Sequence, residues 1–196
     1  MTINVLFVVG SHRPNGSTEQ LIKEAAKEAE SLGASVNIVR LADKEVAFCR
    51  ECPKCSPEGR CVLEDDVGEI LRLMKEADAI IIGTPVFFGQ PSSKLKALMD
   101  RTRPLRRKLK DKVGGVIAVG ALRHGGQETC MYAVYSWMLA HDMIVVGGGP
   151  TAHLGAGSLS KEPSDVLKDE LGLQAVRHLV RRVIEVASLI KGKTDR

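Results

Sequence analysis

The 196-residue chain is poor in aromatic residues, at 4%, and has a single tryptophan. Asn and Gln are few beside abundant Lys, Arg and Glu, a balance associated with proteins of hot habitats. No apolar run approaches the roughly 18–20 residues a membrane-spanning helix needs, so no membrane association is expected. The opening stretch "MTINVLFVVG" lacks the basic start of a secretory signal and runs straight into a glycine loop, so it reads as a buried strand. A cytoplasmic, reducing compartment is expected on that ground. Clustered cysteines there bind metal or do redox chemistry more often than they form structural disulfides. A uniformly basic surface is missing too. The net charge is +4, yet residues 101–112, "RTRPLRRKLKDK", hold seven basic residues and one acidic one, which leaves the rest of the chain at about −2. Nucleic-acid binding is disfavoured, because the basic run is local and carries no aromatics for base stacking. Its plain reading is a solvated helix end and loop.

What is present is an ordinary globular composition, 44% apolar and 27% charged, long enough for one domain over residues 1–196 with a single core. Short apolar runs alternate with amphipathic stretches. Ile3–Val9 predicts a first strand, and Thr18–Leu32 a helix opened by a capping box with Ser17 at the N-cap and Gln20 at N3. Val36–Leu41 predicts a second strand, and "DDVGEILRLMKEAD" a helix with an acidic first turn. "AIIIGTP" at 79–85 and "VGGVIAVG" at 113–120 read as strands buried on both faces. Between them Ser92 or Ser93 can cap a helix carrying Leu95, Leu98 and Met99. "ETCMYAVYSWMLAHD" predicts a helix in which Cys130 is a small core residue, and "MIVVGGG" at 143–149 a fifth strand. A glycine-rich segment precedes a last helix of about twenty residues with Leu171, Ala175, Leu179, Val183 and Val186 on its apolar stripe. Successive β-then-α units imply a three-layer α/β sandwich around a five-stranded parallel sheet, in the flavodoxin-like order 2-1-3-4-5. Ligands of such sheets sit beyond the carboxyl ends of the strands.

Three strand-end loops carry suitable chemistry. "GSHRPNGST" at 10–18 is neither a G-x-G-x-x-G nor a P-loop sequence, but it puts small and hydroxyl residues at a helix N-terminus, where orphan N–H groups favour a phosphate. "TPVFFGQPSS" at 84–93 sets Phe87 and Phe88 between Pro85 and Gly89, a surface for a planar ring unless both side chains pack into the core or a subunit interface. "GALRHGGQE" at 120–128 has Gly125 and Gly126 for close backbone approach, with Arg123 and His124 as donors to a ligand carbonyl.

After the second strand, residues 46–62 hold a cysteine-rich loop with four of the chain's five cysteines, Cys49, Cys52, Cys55 and Cys61, spaced C-x2-C-x2-C-x5-C. A [4Fe–4S] cluster takes one thiolate per iron, and C-x2-C-x2-C wraps three around a compact cube. Pro53, Pro57 and Gly59 suit a tight loop with backbone N–H groups turned toward sulfur. A structural zinc site, usually two C-x2-C pairs set a dozen or more residues apart, and a set of free thiols stand as alternatives.

"GSHRPNGST", "GTPVFFGQPSSKLKALMDR" and "GGQE" together resemble the phosphate, isoalloxazine and third loops of the NADPH-dependent FMN reductase family. The cysteine loop resembles that family's iron–sulfur flavoprotein branch. The resemblance covers nearly all of residues 3–150. It implies FMN, with its phosphate at Ser11, Arg13, Asn15, Gly16, Ser17 and Thr18, and its ring against Pro85, Val86, Phe87, Phe88 and Gly89. The His124, Gly125 and Gly126 turn would lie at the far edge. Pro14–Asn15–Gly16 departs from the family loop, which often has serine or arginine nearer this turn. The resemblance also implies a homo-oligomer, a dimer or tetramer, and an oxidoreductase passing electrons between a ferredoxin-like one-electron donor and a two-electron acceptor. A cluster-free NAD(P)H-dependent FMN or quinone reductase, and a non-enzymatic binding protein docking an acidic partner through the basic run, are the other readings. No side-chain acid or base is assigned, His124 being the one candidate donor.

Overall fold

The computed structural model describes residues 2–55 and 59–194, so Pro57 lies outside the described residues. In chain order the elements are β1 (Asn4–Val9), α1 (Ser17–Ser31), β2 (Ser35–Arg40), α2 (Val67–Glu76), β3 (Ala79–Pro85), α3 (Ser93–Asp100), β4 (Val113–Gly120), α4 (Gln127–Ala140), β5 (Ile144–Val145), β6 (Ala156–Leu159) and α5 (Glu170–Thr194). Every strand pairing is parallel, in the order β2-β1-β3-β4-β5, with β6 also pairing β4. This is the expected flavodoxin-like arrangement. β3 and β4 occupy the expected residues because each is an unbroken apolar run, buried almost throughout.

The period-two alternation of the strands divides the core into two layers. Val5, Phe7, Val9, Ile81 and Ile117 face α1 and α5, packing on Leu21, Ile22, Ala25, Leu179 and Val183. Leu6, Val8, Ile80, Ile82 and Val116 face the other way, onto Ile70, Met74, Leu95, Leu98, Val134 and Met138 of α2, α3 and α4. Beyond α3, the Thr102 hydroxyl accepts from Trp137 Nε1 at 2.9 Å and bonds His141 Nε2 at 2.8 Å, tying the start of the basic run to the end of α4. Burial pushes the His141 pKa down. Among the described residues, no helix is long and apolar enough to cross a membrane.

The structure departs from the sequence expectation in four places. The capping box does not form: Gly16 is the N-cap of α1 and no side chain caps it. The Ser17 hydroxyl accepts from Ser160 Oγ at 2.7 Å. The fifth strand is split. Ile144–Val145 pairs with Val113–Gly114, the chain leaves the sheet over residues 146–155, and Ala156–Leu159 resumes the same edge against Ile117–Gly120. Glycines explain the departure: a Cβ on Gly147 would lie 2.2 Å from the His153 carbonyl oxygen, and one on Gly148 2.3 Å from that of Gly155. The excursion folds on itself where a strand would have continued. Leu171 is 70% exposed and leaves the stripe of α5, whose burial runs through Ala175, Val176, Leu179, Val180 and Val183. Finally, Arg101 of the basic run is not solvated but 2% exposed, because Asp65 receives it inside the fold.

Close packing of α1 on β3 depends on Gly83, where a Cβ would meet Ile22 Cγ1 at 2.7 Å and Thr18 Cγ2 at 3.2 Å. Gly83→Ala should therefore lower the unfolding free energy by ~1–3 kcal/mol through overpacking. Urea denaturation checks this. The double variant with Ile22→Ala should lose less than the sum of the two single variants.

Candidate functional site

All three glycine-containing loops leave the sheet at one edge, the carboxyl ends of β1, β3 and β4, because parallel strands with right-handed crossovers share that edge. Two hydroxyls knit them together. Ser92 Oγ donates to the Gly10 carbonyl and accepts from Leu95 N, so it caps α3 while holding the first loop. Thr84 Oγ1 accepts from Ser92 N at 3.2 Å and donates to the Pro85 carbonyl at 2.9 Å.

In the first loop Ser11 is buried, and its hydroxyl accepts from Arg13 N at 3.1 Å. His12 meets Ser93 Oγ at 3.1 Å and the edge of Phe87 at 6.0 Å between ring centroids. Asn15 takes a left-handed conformation, φ 53°, and its N–H is received by Glu19 Oε2 at 2.7 Å. Glu19 is 2% exposed and is also paired with Lys23 at 2.8 Å. Thus Glu19 shapes the turn through the Asn15 N–H, and among the described residues the N-cap of α1, Gly16, makes no side-chain cap. Open N–H donors, the helix dipole and the nearby Ser17 and Thr18 hydroxyls fit a phosphate.

In the second loop Val86 N donates to Val119 O, and Phe87 and Gln90 exchange backbone hydrogen bonds across Phe88 and Gly89. Both central residues have positive φ, 51° and 75°, which makes a type I′ turn with a phenylalanine in an unusual place. Phe87 is 50% exposed and Phe88 fully exposed, so neither is a core residue. In the third loop the Gln127 amide accepts from Gly125 N and donates to Leu122 O, while His124 stands exposed. Gly126 has φ 88°, and a Cβ there would come within 2.9 Å of Gly89 Cα, so the second and third loops touch backbone to backbone. The 124–126 turn also borders a cleft of about 800 Å3, which runs past α4, Leu154 and Gly157 to Asp169 and Ala175.

The cysteine loop forms a second site. Cys49, Cys52, Cys55 and Cys61 all line one cavity of about 180 Å3, together with Arg50, Lys54, Asp100, Arg101, Arg103 and Pro104. Among the described residues no group of three or more His, Cys, Asp or Glu side chains closes on a single-ion position. Glu51, at φ 53°, turns its N–H onto Cys49 Sγ at 3.4 Å. Asp65 anchors the loop: it receives Arg101 Nη1 at 2.7 Å and Nη2 at 2.9 Å, and also the Ala47 and Val67 N–H groups. Lys44 adds an ion pair to Glu69 at 2.8 Å. Cys130 stands apart in the core, its thiol pushed up to about 12 by burial. Of the basic run, Arg103 lines the cavity, and Lys108 Nζ lies 3.4 Å from where a Cβ on Gly59 would sit. The run therefore borders the cysteine loop. Glu19, Asp65, Arg101 and Ser160 have no motif to mark them in the sequence. A carboxylate three residues past a glycine turn was the one available signal, for Glu19.

A doubly wound parallel sheet with an open helix N-terminus and two touching loops at its carboxyl edge defines a flavodoxin-like fold. The crystal structure of a flavodoxin, WrbA-like protein from Agrobacterium tumefaciens has this fold, with TM-score 0.67, 22% identity and coverage of 96% of this chain and 99% of that one. The sequence model of the NADPH-dependent FMN reductase family matches residues 3–155. An iron-sulfur flavoprotein of Methanocaldococcus jannaschii is 48% identical over 192 residues, 96% of this chain and all of the relative. An NAD(P)H dehydrogenase (quinone) of Archaeoglobus fulgidus is 34% identical over 179 residues, 90% of this chain and 94% of the relative. The chain belongs to the NADPH-dependent FMN reductase family. It is an FMN-dependent oxidoreductase.

Two buried carboxylates make the fold acid-sensitive. For Glu19, burial works to raise the pKa, and Lys23, the Asn15 N–H and Arg40 outweigh it, so the pKa falls below 4.5. For Asp65, burial is outweighed by Arg101 and the Ala47 and Val67 N–H groups, and the pKa falls below 3.8. A depressed folded pKa contributes stability that is complete above the unfolded value and is lost as pH falls through the folded value. Urea midpoints should stay level above about pH 5 and drop below it, and Glu19→Gln should lower the plateau and flatten the drop.

Proposed function

We propose that this chain is an iron–sulfur flavoprotein of the cytoplasm: a single flavodoxin-like domain that passes electrons from a ferredoxin-like one-electron donor to a two-electron acceptor through a [4Fe–4S] cluster and FMN. The observation that carries the reading is the common cavity of Cys49, Cys52, Cys55 and Cys61. Thiols that line a space, rather than converge on a point, suit a cube of four irons better than one tetrahedral ion. A buried guanidinium edge and a backbone N–H directed at sulfur complete a donor set typical of a cluster site. FMN exchanges one or two electrons and a cluster one, so the pair would convert single-electron delivery into a two-electron reduction.

The chain's own residues then have distinct tasks. The open first turn of α1, with Ser11, Asn15, Gly16, Ser17 and Thr18 around it and Arg13 adding charge, would hold the FMN phosphate. Pro85 to Gly89 and the 124–126 turn would bracket the ring, their contact at Gly89 and Gly126 fixing the gap. Exposed Arg103, Arg106, Arg107 and Lys108 would steer an acidic carrier toward the cysteine loop. Phe88, Leu122, Tyr132 and Leu139 are large apolar side chains left exposed, and a second copy in a dimer or tetramer would cover such side chains. The wide cleft beside the 124–126 turn favours the second reading, a cluster-free NAD(P)H-dependent FMN or quinone reductase, since it leaves room for an organic substrate.

Protein purified and reconstituted without oxygen should contain iron, sulfide and FMN. Ala in place of Cys49, Cys52, Cys55 or Cys61 should deplete iron and sulfide while FMN stays, whereas Cys130→Ala should leave all three. Wild-type protein that binds zinc or no metal under these conditions would establish the cluster-free reductase. Ser17→Asp should weaken FMN at least tenfold, ~1.4 kcal/mol, by placing an anion against the phosphate. Reduction by a ferredoxin should slow steeply with salt, as steering is screened over about 8–10 Å, and Arg103→Glu with Arg106→Glu should remove that slope. If NADPH is the donor, the same reversal should raise its apparent KM instead.

A further inference from the structure

Arg101 heads the large side chains that the fold buries completely, and the way its donors are distributed is informative. Asp65 takes the fork end-on, Nη1 to Oδ2 and Nη2 to Oδ1, and the Ala47 carbonyl takes a further Nη1 bond at 2.9 Å. Nε is buried and has no hydrogen-bond partner among the described residues. An unpaired donor on a buried charged group is costly, and it asks for an acceptor. The same side chain lines the cavity shared by the four thiols.

We propose that Arg101 is the internal counter-charge of the cluster, its Nε–H donating to a cluster sulfur or to the Cys61 thiolate and raising the cluster's reduction potential. This rests on the reading of the four cysteines as cluster ligands. The pair is a fixed dipole. Asp65 holds the guanidinium from the fork end, and the edge that carries Nε is left for the cavity. Reduction places one further electron on an anionic group held by four thiolates, and a nearby positive edge stabilises that added charge. Asp65 lies beyond the guanidinium and opposes the effect more weakly. The two residues thus push the potential in opposite directions, although both brace the same loop at Ala47. A bracing role alone has no such signature, because loosening the loop from either side would disturb the cluster in the same sense.

The test is an EPR-monitored redox titration of anaerobically reconstituted protein, with dithionite as the one-electron reductant and with iron, sulfide and FMN contents measured in parallel. One electron passes from dithionite to the cluster, no bond breaks and no proton is taken up. Arg101→Gln should lower the equilibrium constant for reduction about tenfold, ~59 mV for one electron. Arg101→Lys, which keeps the charge but loses the planar edge, should shift it the same way by less. Asp65→Asn, which keeps Arg101 and removes the opposing anion, should shift it upward. Clusters at full occupancy with unmoved potentials in the Arg101 variants would overturn the proposal, as would shifts of one sign in the Arg101 and Asp65 variants alike. Loss of the cluster from all three variants, with wild type retaining it, would make the pair a bracing element and nothing more. A wild type without a cluster would overturn the iron–sulfur reading itself, and this proposal with it.

Discussion

Parallel pairing is the constraint on which the rest of this molecule depends. Strands joined by right-handed crossovers must all leave the sheet at the same edge, so the loops after β1, β3 and β4 become neighbours however far apart they are in sequence. The chain then uses small, local devices to turn neighbours into a site. The Ser92 hydroxyl reaches the Gly10 carbonyl, Gly126 touches Gly89, and Ser160 returns to Ser17 from the far end of the chain. None of these contacts would be within reach in an antiparallel meander.

The cysteine loop has no such help, since it lies in the crossover after β2 and its described residues are mostly turns and irregular chain. Its order comes from charge. Burying an ion pair gains little over an apolar pair of the same shape, but removing one partner is expensive, because the other charge is left in low dielectric. The Asp65–Arg101 pair is therefore best understood as a device for specificity. It fixes where the two ends of a long loop sit relative to α3, the helix that begins where the second ligand loop ends. The two candidate cofactor sites are linked by one short, rigid element.

The architecture is legible in the sequence wherever burial is continuous. "AIIIGTP" and "VGGVIAVG" are strands to the residue because no charged residue interrupts them, and the strand order is the flavodoxin-like one, among the few that right-handed crossovers leave. Three loops were recognisable from residue type because glycine, hydroxyl and aromatic residues are rare companions at strand ends. What is not legible is competition between partners. Ser17 and Gln20 have capping-box spacing, yet Glu19 meets the Asn15 N–H and Ser160 meets Ser17, and tertiary contact decides between them. In the same way, Arg101 of the basic run turns inward because a carboxylate distant in sequence receives it. A local charge count cannot anticipate that choice. The break in the fifth strand is of a third kind, since "VVGGG" is compatible with a strand until the carbonyls of His153 and Gly155 come to occupy the space above its glycines.

That break has a consequence for how such a chain can change over time. Residues 146–155 are clamped at both ends by pairing to β4, and Thr151 to Gly155 form one wall of the wide cleft. Lengthening a loop held at two fixed points costs only about 0.6 kcal/mol per doubling. Insertions there would remodel the cleft without shifting the strand ends that position the loops after β1 and β3. The fold thus separates a part that can be rewritten cheaply from a part that cannot. Descendants of one chain could acquire different substrates while keeping the same sheet and the same strand-end loops.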